Sequence, residues 1–414
     1  MNYQQLLDLA TELGFRLSSC GAETYRVEES VKRLLTSYGI ACDAFAVPYS
    51  LTVTVETDCG TSLMRMRRID GSVSDLDAVE RYSGLCRRIC QERPDPETAF
   101  EWLRNTDKQR IHYSPLLQYI GYFLGSAGFG WFYGGSLTDG LSAGICGLVG
   151  CAADRYFHRV QVNKFFSTIL TAFFMALTAY VLHQLGLSPN PDATIIGCLM
   201  VLVPGLLFTN AMRDLIFGDT SSGTTRVVQV LLIAVSIALG TGAALGFYSG
   251  IFGAPDTAAN IPHSFLIIEL ACAIGCAGFA IFFNIHGPGM LICILGGVLT
   301  WGTYVLVTQL GGGEILAYFT ASAFASLFAE IMARVRKYPA ISYLVVSAFP
   351  LLPGGGIYYT MCHAVRGETA LFSQRGMHTV AITGAMAVGI LLISTFFRFL
   401  AMRKANQPEN IKNS

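Results

Sequence analysis

The pattern of apolar and polar positions changes character near residue 114. Before it, apolar residues recur at helical spacing over 3–19 and 23–38, with Gly21 as the turn between them and Gly39 as the stop of the second run. The stretch ACDAFAVPYSLTVTVETD, with Thr/Val alternation over 51–55, predicts strands, and a Cys-Gly turn leads to a further strand, TSLMRMRRI. Helical spacing returns over 74–92 and 95–105, opened by Ser74 and by Asp95 with Pro96 behind it as cap candidates. Residues 1–113 therefore predict a small α+β domain. Beyond it, apolar runs follow one another at bilayer length, over about 115–133, 139–153, 164–186, 192–210, 226–248, 264–284, 288–309, 314–333, 339–360 and 376–400. The fold class predicted is a polytopic α-helical membrane protein of about ten transmembrane helices behind an N-terminal α+β domain.

One stretch, VLVPGLLFTNAMRDLIFGDTSSGTTR over 201–226, has a degenerate echo 149 residues later. Aligning Pro204 with Pro353 also brings Gly205 onto Gly354, Gly218 onto Gly367, Asp219 onto Glu368, Thr220 onto Thr369 and Arg226 onto Arg375. This reads as an internal duplication, 114–250 and 251–414, the second copy ending in a short tail. A Pro-Gly within an apolar run breaks the helix ladder, and the backbone groups it frees must face protein or a water-filled cavity. Paired broken helices in two halves are the strongest sequence pointer to a transporter's binding site.

Composition sharpens the boundary. The chain is 52% hydrophobic and 14% charged, with 43 glycines, yet residues 1–113 hold 31 of the charged residues and the remaining 301 hold only 25. The boundary is a change of solvent. The formal net charge is zero, so nothing points to nucleic acid. The start lacks a basic region followed by a long apolar core, which argues against a cleaved signal peptide and for a cytoplasmic N-terminal domain. Cys86 and Cys90, four apart on a predicted helix, have no partner His or second Cys pair nearby and read as packing residues. Arg65, Arg67 and Arg68 are more simply residues of a solvated strand face than an anion site. Neither a Gly-x-Ser-x-Gly elbow nor a phosphate loop with Lys is present, so no catalysis and no cofactor are expected.

Orientation follows from Lys and Arg. With the N-terminal domain inside, the inner loops carry Arg155, Arg159, Lys164, Arg213, Arg226, Arg334, Arg336 and Lys337, and the tail carries Arg403, Lys404 and Lys412; the outer loops carry only Arg366 and Arg375. Both termini then lie in the cytoplasm. Five spans per copy is an odd number, so the second copy runs through the membrane upside down, a 5+5 inverted repeat suited to alternating access.

The string LVPGLLFTNAMRDLIFGDTSSGTTR, behind a segment opening SCGAETYRVEESVKRL, resembles the bacterial threonine/serine exporter family. The later FPLLPGGGIYY, with YPAISYLVVSAF before it, resembles that family's second module, a separate subunit in some relatives. The resemblance implies a multi-pass protein of the bacterial inner membrane that exports small polar amino acids by proton antiport. The two-subunit relatives imply an alternative, export of C4 dicarboxylates such as succinate. Carried onto this sequence, the motif residues are Pro204, Gly205, Asn210, Arg213, Asp214, Gly218, Asp219, Gly223 and Arg226. Cys362 and His363 stand where Arg213 and Asp214 would fall, so the second copy loses that ionic pair.

Candidate substrate-binding residues are therefore Pro204, Gly205, Asn210, Arg213, Asp219, Arg226, Pro353 and Gly354. An arginine would hold a substrate carboxylate, and an acid would meet an ammonium group or carry the coupled proton. The alternative is that these charges cap helix ends and pair with one another. Asp214 and His286 are the proton-coupling candidates; histidine is the residue type that in free solution titrates near physiological pH, and His286 precedes Gly287-Pro288-Gly289, a second helix break. Glu330 is placed to pair with Arg334 one turn on, and Glu269 to snorkel at the outer interface. Tyr358, Tyr359 and Phe208 flank the Pro-Gly elements, as pocket walls or as packing. The partners expected are a small-molecule substrate, protons and membrane lipid; a homo-oligomer stays open. An intramembrane enzyme is disfavoured by the absence of His-Glu-x-x-His, Gly-x-Ser-x-Gly or a close Asp pair in the spans, and a channel by the two inverted halves.

Overall fold

The computed structural model describes residues 2–71, 74–216, 218–256, 258–336, 338–365 and 367–405. Among the charges used for orientation, Lys337, Arg366 and Lys412 lie outside the described residues, as do the side chains of Arg213, Arg403 and Lys404.

Helices α1 (Tyr3–Ser19) and α2 (Thr24–Ser37) stand on an antiparallel sheet of order β1-β2-β3, made of β1 (Cys42–Val47), β2 (Ser50–Glu56) and β3 (Ser62–Arg68), and are followed by α3 (Leu76–Glu92) and α4 (Pro96–Lys108). Alternation along β2 turns Leu51, Val53 and Val55 into a core shared with Leu9, Leu13, Val27 and Val31. The N-cap of α3 is Asp75 rather than Ser74: its Oδ1 accepts the Ala78 N–H at 3.1 Å, while Oδ2 takes Arg110 at 2.8 Å. The three strand arginines are engaged by acids. Arg65 reaches Asp8 at 2.6 Å, Arg67 reaches Glu12 at 3.1 Å and Arg68 reaches Asp70 at 3.2 Å, so the first two tie β3 to α1.

The rest of the chain is helical: α5 (Pro115–Phe132), α6 (Leu137–Arg159), α7 (Lys164–Gln184), α8 (Pro191–Leu199), α9 (Gly205–Ile216), α10 (Thr220–Phe252), α11 (Phe265–Phe282), α12 (Pro288–Gln309), α13 (Glu314–Arg336), α14 (Ala340–Ala348), α15 (Gly354–Val365) and α16 (Thr369–Ala405). Each of the ten apolar runs falls on helix, and both Pro-Gly runs are broken. Among the described residues six helices are long and apolar enough to cross a membrane, or seven when α14 and α15, bent by 53° at their break, count as one span. The remaining runs, α5, α6 and the pair α8–α9, are helical but diluted, α5 by glycine, Gln118 and tyrosines, α6 by Asp139, Asp154, Arg155 and Arg159.

The elements of α5–α10 recur in order as α11–α16, each beginning 149 to 151 residues after its counterpart. Packing recurs too: α7 lies on α10 as α13 lies on α16, and α9 on α10 as α15 on α16. Helices α5 and α11 cross through glycines. A β-carbon on Gly128 would sit 2.3 Å from the Gly275 nitrogen, and one on Gly278 would sit 2.1 Å from the Gly125 nitrogen. Numbers rise along α5 as they fall along α11, so the two helices are antiparallel. Such close backbone approach is what small residues permit between helices in lipid.

Candidate functional site

The first break leaves α8 at Leu199 and resumes at Gly205, with the Phe208 N–H returning to the Pro204 carbonyl at 2.9 Å. The second does the same, Ile357 N–H to Pro353 O at 2.9 Å. The turns that follow also match. Gly218 (φ 89°) and Gly367 (φ 74°) take the left-handed conformation. The N–H of Asp219 reaches back to Asp214 O at 3.0 Å, and that of Glu368 to His363 O at 2.9 Å. Asp219 caps α10 through Oδ1, accepting the Ser222 N–H at 3.2 Å. Gly223 is required by proximity, because a β-carbon there would lie 2.8 Å from the Leu215 nitrogen.

These turns bring Asp214 and Arg226 together. The Arg226 Nε lies 3.0 Å from Asp214 Oδ2, and each residue is 8% exposed. Asn210, one turn before Asp214 on α9, is 5% exposed. Removing either partner of a buried ion pair strands the other charge, a cost of about 3–5 kcal/mol. The expectation that Asp214 is partnered by its neighbour Arg213 lies outside the described residues; the partner seen is Arg226. At the second break a different contact forms. His363 Nδ1 lies 2.5 Å from Glu368 Oε2, within the turn itself, and Arg375 is exposed where its counterpart Arg226 is buried.

The two breaks meet. A β-carbon on Gly354 would lie 2.4 Å from Met200 Sδ and 3.5 Å from Val203 Cγ2, so the start of α15 sits against the end of the α8 limb. Between them is a void of about 10 Å³, walled by Ile196, Val203, Ile237, Ile357 and Tyr358 among others, with room for about one water. Tyr133, which sequence reasoning passed over, bridges the breaks: its hydroxyl donates to Leu352 O at 3.4 Å and lies 3.6 Å from Met200 Sδ. Beyond the breaks, α9 packs on α16 and α15 on α10, so each resumed helix lies against the last helix of the opposite half.

His286 is elsewhere. It occupies the turn between α11 and α12, stacked on Tyr113 with centroids 4.1 Å apart and with Nε2 2.9 Å from Asn284 Oδ1. Glu330 pairs with Arg334 at 2.5 Å. Glu269 turns inward: both its carboxylate oxygens are buried against α12 near Gly302, with no hydrogen-bond partner among the described residues. The Gly125-x-x-Gly128 and Gly275-x-x-Gly278 spacings were legible in the sequence at an offset of 150, but carried no polar signal.

Six or seven apolar helices of spanning length among the described residues, with two breaks that meet and a buried ion pair at the far end of the first resumed helix, mark a polytopic membrane protein. The sequence model of a family described as "Putative threonine/serine exporter" matches residues 8–248, and a second, described as "Threonine/Serine exporter, ThrE", matches residues 269–396. The chain belongs to the threonine/serine exporter family. It is similar to a protein of Mycobacterium tuberculosis (strain ATCC 25618 / H37Rv) named "Probable threonine/serine exporter", with 20% identity over 375 residues, 86% of this chain and 70% of that protein. No solved structure matches it.

Proposed function

We propose that the chain is a secondary exporter of small polar amino acids, threonine and serine, coupled to proton entry and working by alternating access between two inverted five-span repeats. Family membership supports the substrate class. The inverted repeat is supported by the antiparallel α5–α11 crossing: Gly125 meets Gly278 and Gly128 meets Gly275, so equivalent residues exchange partners as about a two-fold axis. The axis would lie in the membrane plane, with residues 1–113 as a cytoplasmic domain, both termini inside and the protein in the bacterial inner membrane.

The observation that carries the coupling is the buried Asp214–Arg226 pair. With Arg226 holding the substrate carboxylate, ionised Asp214 would meet the ammonium group. A proton arriving from outside would neutralise Asp214, release the substrate and return inward on the empty carrier, so substrate and proton compete for one carboxylate. Asn210 and Asp219 flank this position and would bind the substrate's polar groups. Pro204, Gly205, Pro353 and Gly354 are the hinges whose breaks, closed on each other here, would part to admit it. His286 is the second proton-coupling candidate, and protein association is left to measurement.

The test is counterflow in proteoliposomes, labelled threonine against labelled succinate, with and without a pH gradient. Gradient-dependent threonine movement without succinate movement is expected; the reverse would replace this reading with dicarboxylate export.

A further inference from the structure

A second cavity lies where the N-terminal elements meet the second half. Leu76 at the start of α3 donates its N–H to Phe283 O at 3.1 Å, and Asn284 (φ 57°) donates Nδ2 to Asp75 Oδ1 and to Ile111 O, each at 2.9 Å. Tyr113 closes the seam, its hydroxyl donating to Ile285 O at 2.8 Å. Beside these contacts is a cavity of about 210 Å³ that includes Asp77, Glu80, His286, Gly289, Arg336 and Ser342 in its wall.

Two helices begin at this wall. The N-cap of α12 is Gly287 and that of α14 is Pro339, and neither has a side-chain cap. Uncapped helix starts offer N–H groups and partial positive charge to an anion. Arg336 adds a full charge, with Nη1 3.1 Å from where a β-carbon of Gly289 would be and 3.0 Å from the Tyr343 hydroxyl. A guanidinium held over a helix N-terminus, here resting on the Tyr338 ring at 4.6 Å, draws further negative charge to that wall. An independent observation comes from Ser342: it is 4% exposed, lines the cavity, and its hydroxyl has no hydrogen-bond partner among the described residues. A buried polar group left so is costly unless something fills the cavity and bonds to it. Two acids share the wall. Asp77 is held by Arg81 at 2.7 Å, whereas burial, the largest cause, pushes the Glu80 carboxyl up to about 7.

We infer that this seam binds a free α-amino acid, its carboxylate at Gly289, Arg336 and Ser342 and its ammonium at Glu80. The cavity suits a small zwitterion because its wall carries both a guanidinium, Arg336, and a carboxyl, Glu80, whose own hydrogen bond comes from the Tyr338 hydroxyl. Occupancy would tie α3 to the starts of α12 and α14, so ligand concentration on that face would set how firmly the N-terminal elements grip the second half. This site is separate from the Asp214–Arg226 pair and does not depend on the export reading.

The test is amide hydrogen exchange on the purified full-length protein in detergent, with L-threonine, succinate or inorganic phosphate as probes. L-threonine is expected to slow exchange in peptides covering 285–290 and 338–343. Glu80→Gln and Ser342→Ala are each expected to raise the concentration needed by about tenfold or more, with unchanged elution and melting as the control for folding. Protection by phosphate or succinate but not by L-threonine would overturn the zwitterion assignment, and no protection at all would overturn the site. Protection that survives both substitutions would overturn the residue assignment. Because peptides spanning 200–204 and 353–358 report separately on the breaks, failure here is distinguishable from failure of the transport reading.

Discussion

Gly278 and Gly125 approach so closely that a β-carbon on Gly278 would lie 2.1 Å from the Gly125 backbone nitrogen. No side-chain rotation relieves a clash with backbone, so α5 and α11 would have to separate. Gly278→Val is expected to cost about 3 kcal/mol or more and to abolish monodisperse protein in detergent chromatography. Gly246→Ala, at an open position on α10 with nothing within 4 Å, should be neutral in the same assay.

The Asp214–Arg226 pair gives the coupling prediction. Asp214→Asn should abolish gradient-driven efflux while leaving threonine exchange measurable, because exchange needs no net proton movement. His286→Gln should retain gradient-driven efflux, since His286 stacks on Tyr113 in the α11–α12 turn, away from the breaks. If Asp214→Asn pumps normally and His286→Gln does not, the proton path runs through the seam instead.

Glu80 makes the seam sensitive to pH. Burial raises its carboxyl from an ordinary 4.5 to about 7, so between those values the folded protein holds a proton that the unfolded chain has released. Stability is then expected to fall as pH rises through that window, and to be fullest below it. The groups facing Glu80 are Asp77 and Arg81 on α3, His286 from the α11–α12 turn, Arg336 at the end of α13, and Tyr338. Melting measured from pH 5 to pH 7.5 should show the decline, and Glu80→Gln should flatten it; an equal decline in that variant would remove Glu80 as its source.

Protease treatment of inside-out vesicles tests the orientation. Cleavage in residues 1–113 is expected there, with none in right-side-out vesicles, and the opposite pattern would invert the whole topology. The docking of Leu76 onto Phe283 and of the Tyr49 hydroxyl onto Gln229 Nε2 predicts slow release of the cut fragment.

The sequence by itself determined the elements. Periodicity placed α1, α2 and the strands, apolar runs placed the helices, and the Pro-Gly pairs located both breaks, because each of these signals is local and survives in the order of residues. It also carried the common spacing, since the Pro-Gly and the Gly-Asp/Glu-Thr recur 149 positions on even where the residues between differ, as His363 differs from Asp214. What only the tertiary structure decided was partnership. Asp214 meets Arg226 because the turn at Gly218 folds α10 back along α9, and Tyr133 and Met200 meet the second break through 150 or more residues of intervening chain. The α5–α11 glycine crossing and the Ser342 cavity were hidden for the same reason. A glycine states that a close approach is permitted and a serine that a hydrogen bond is available, but neither names the group on the other side; that is fixed when helices distant in the chain pack.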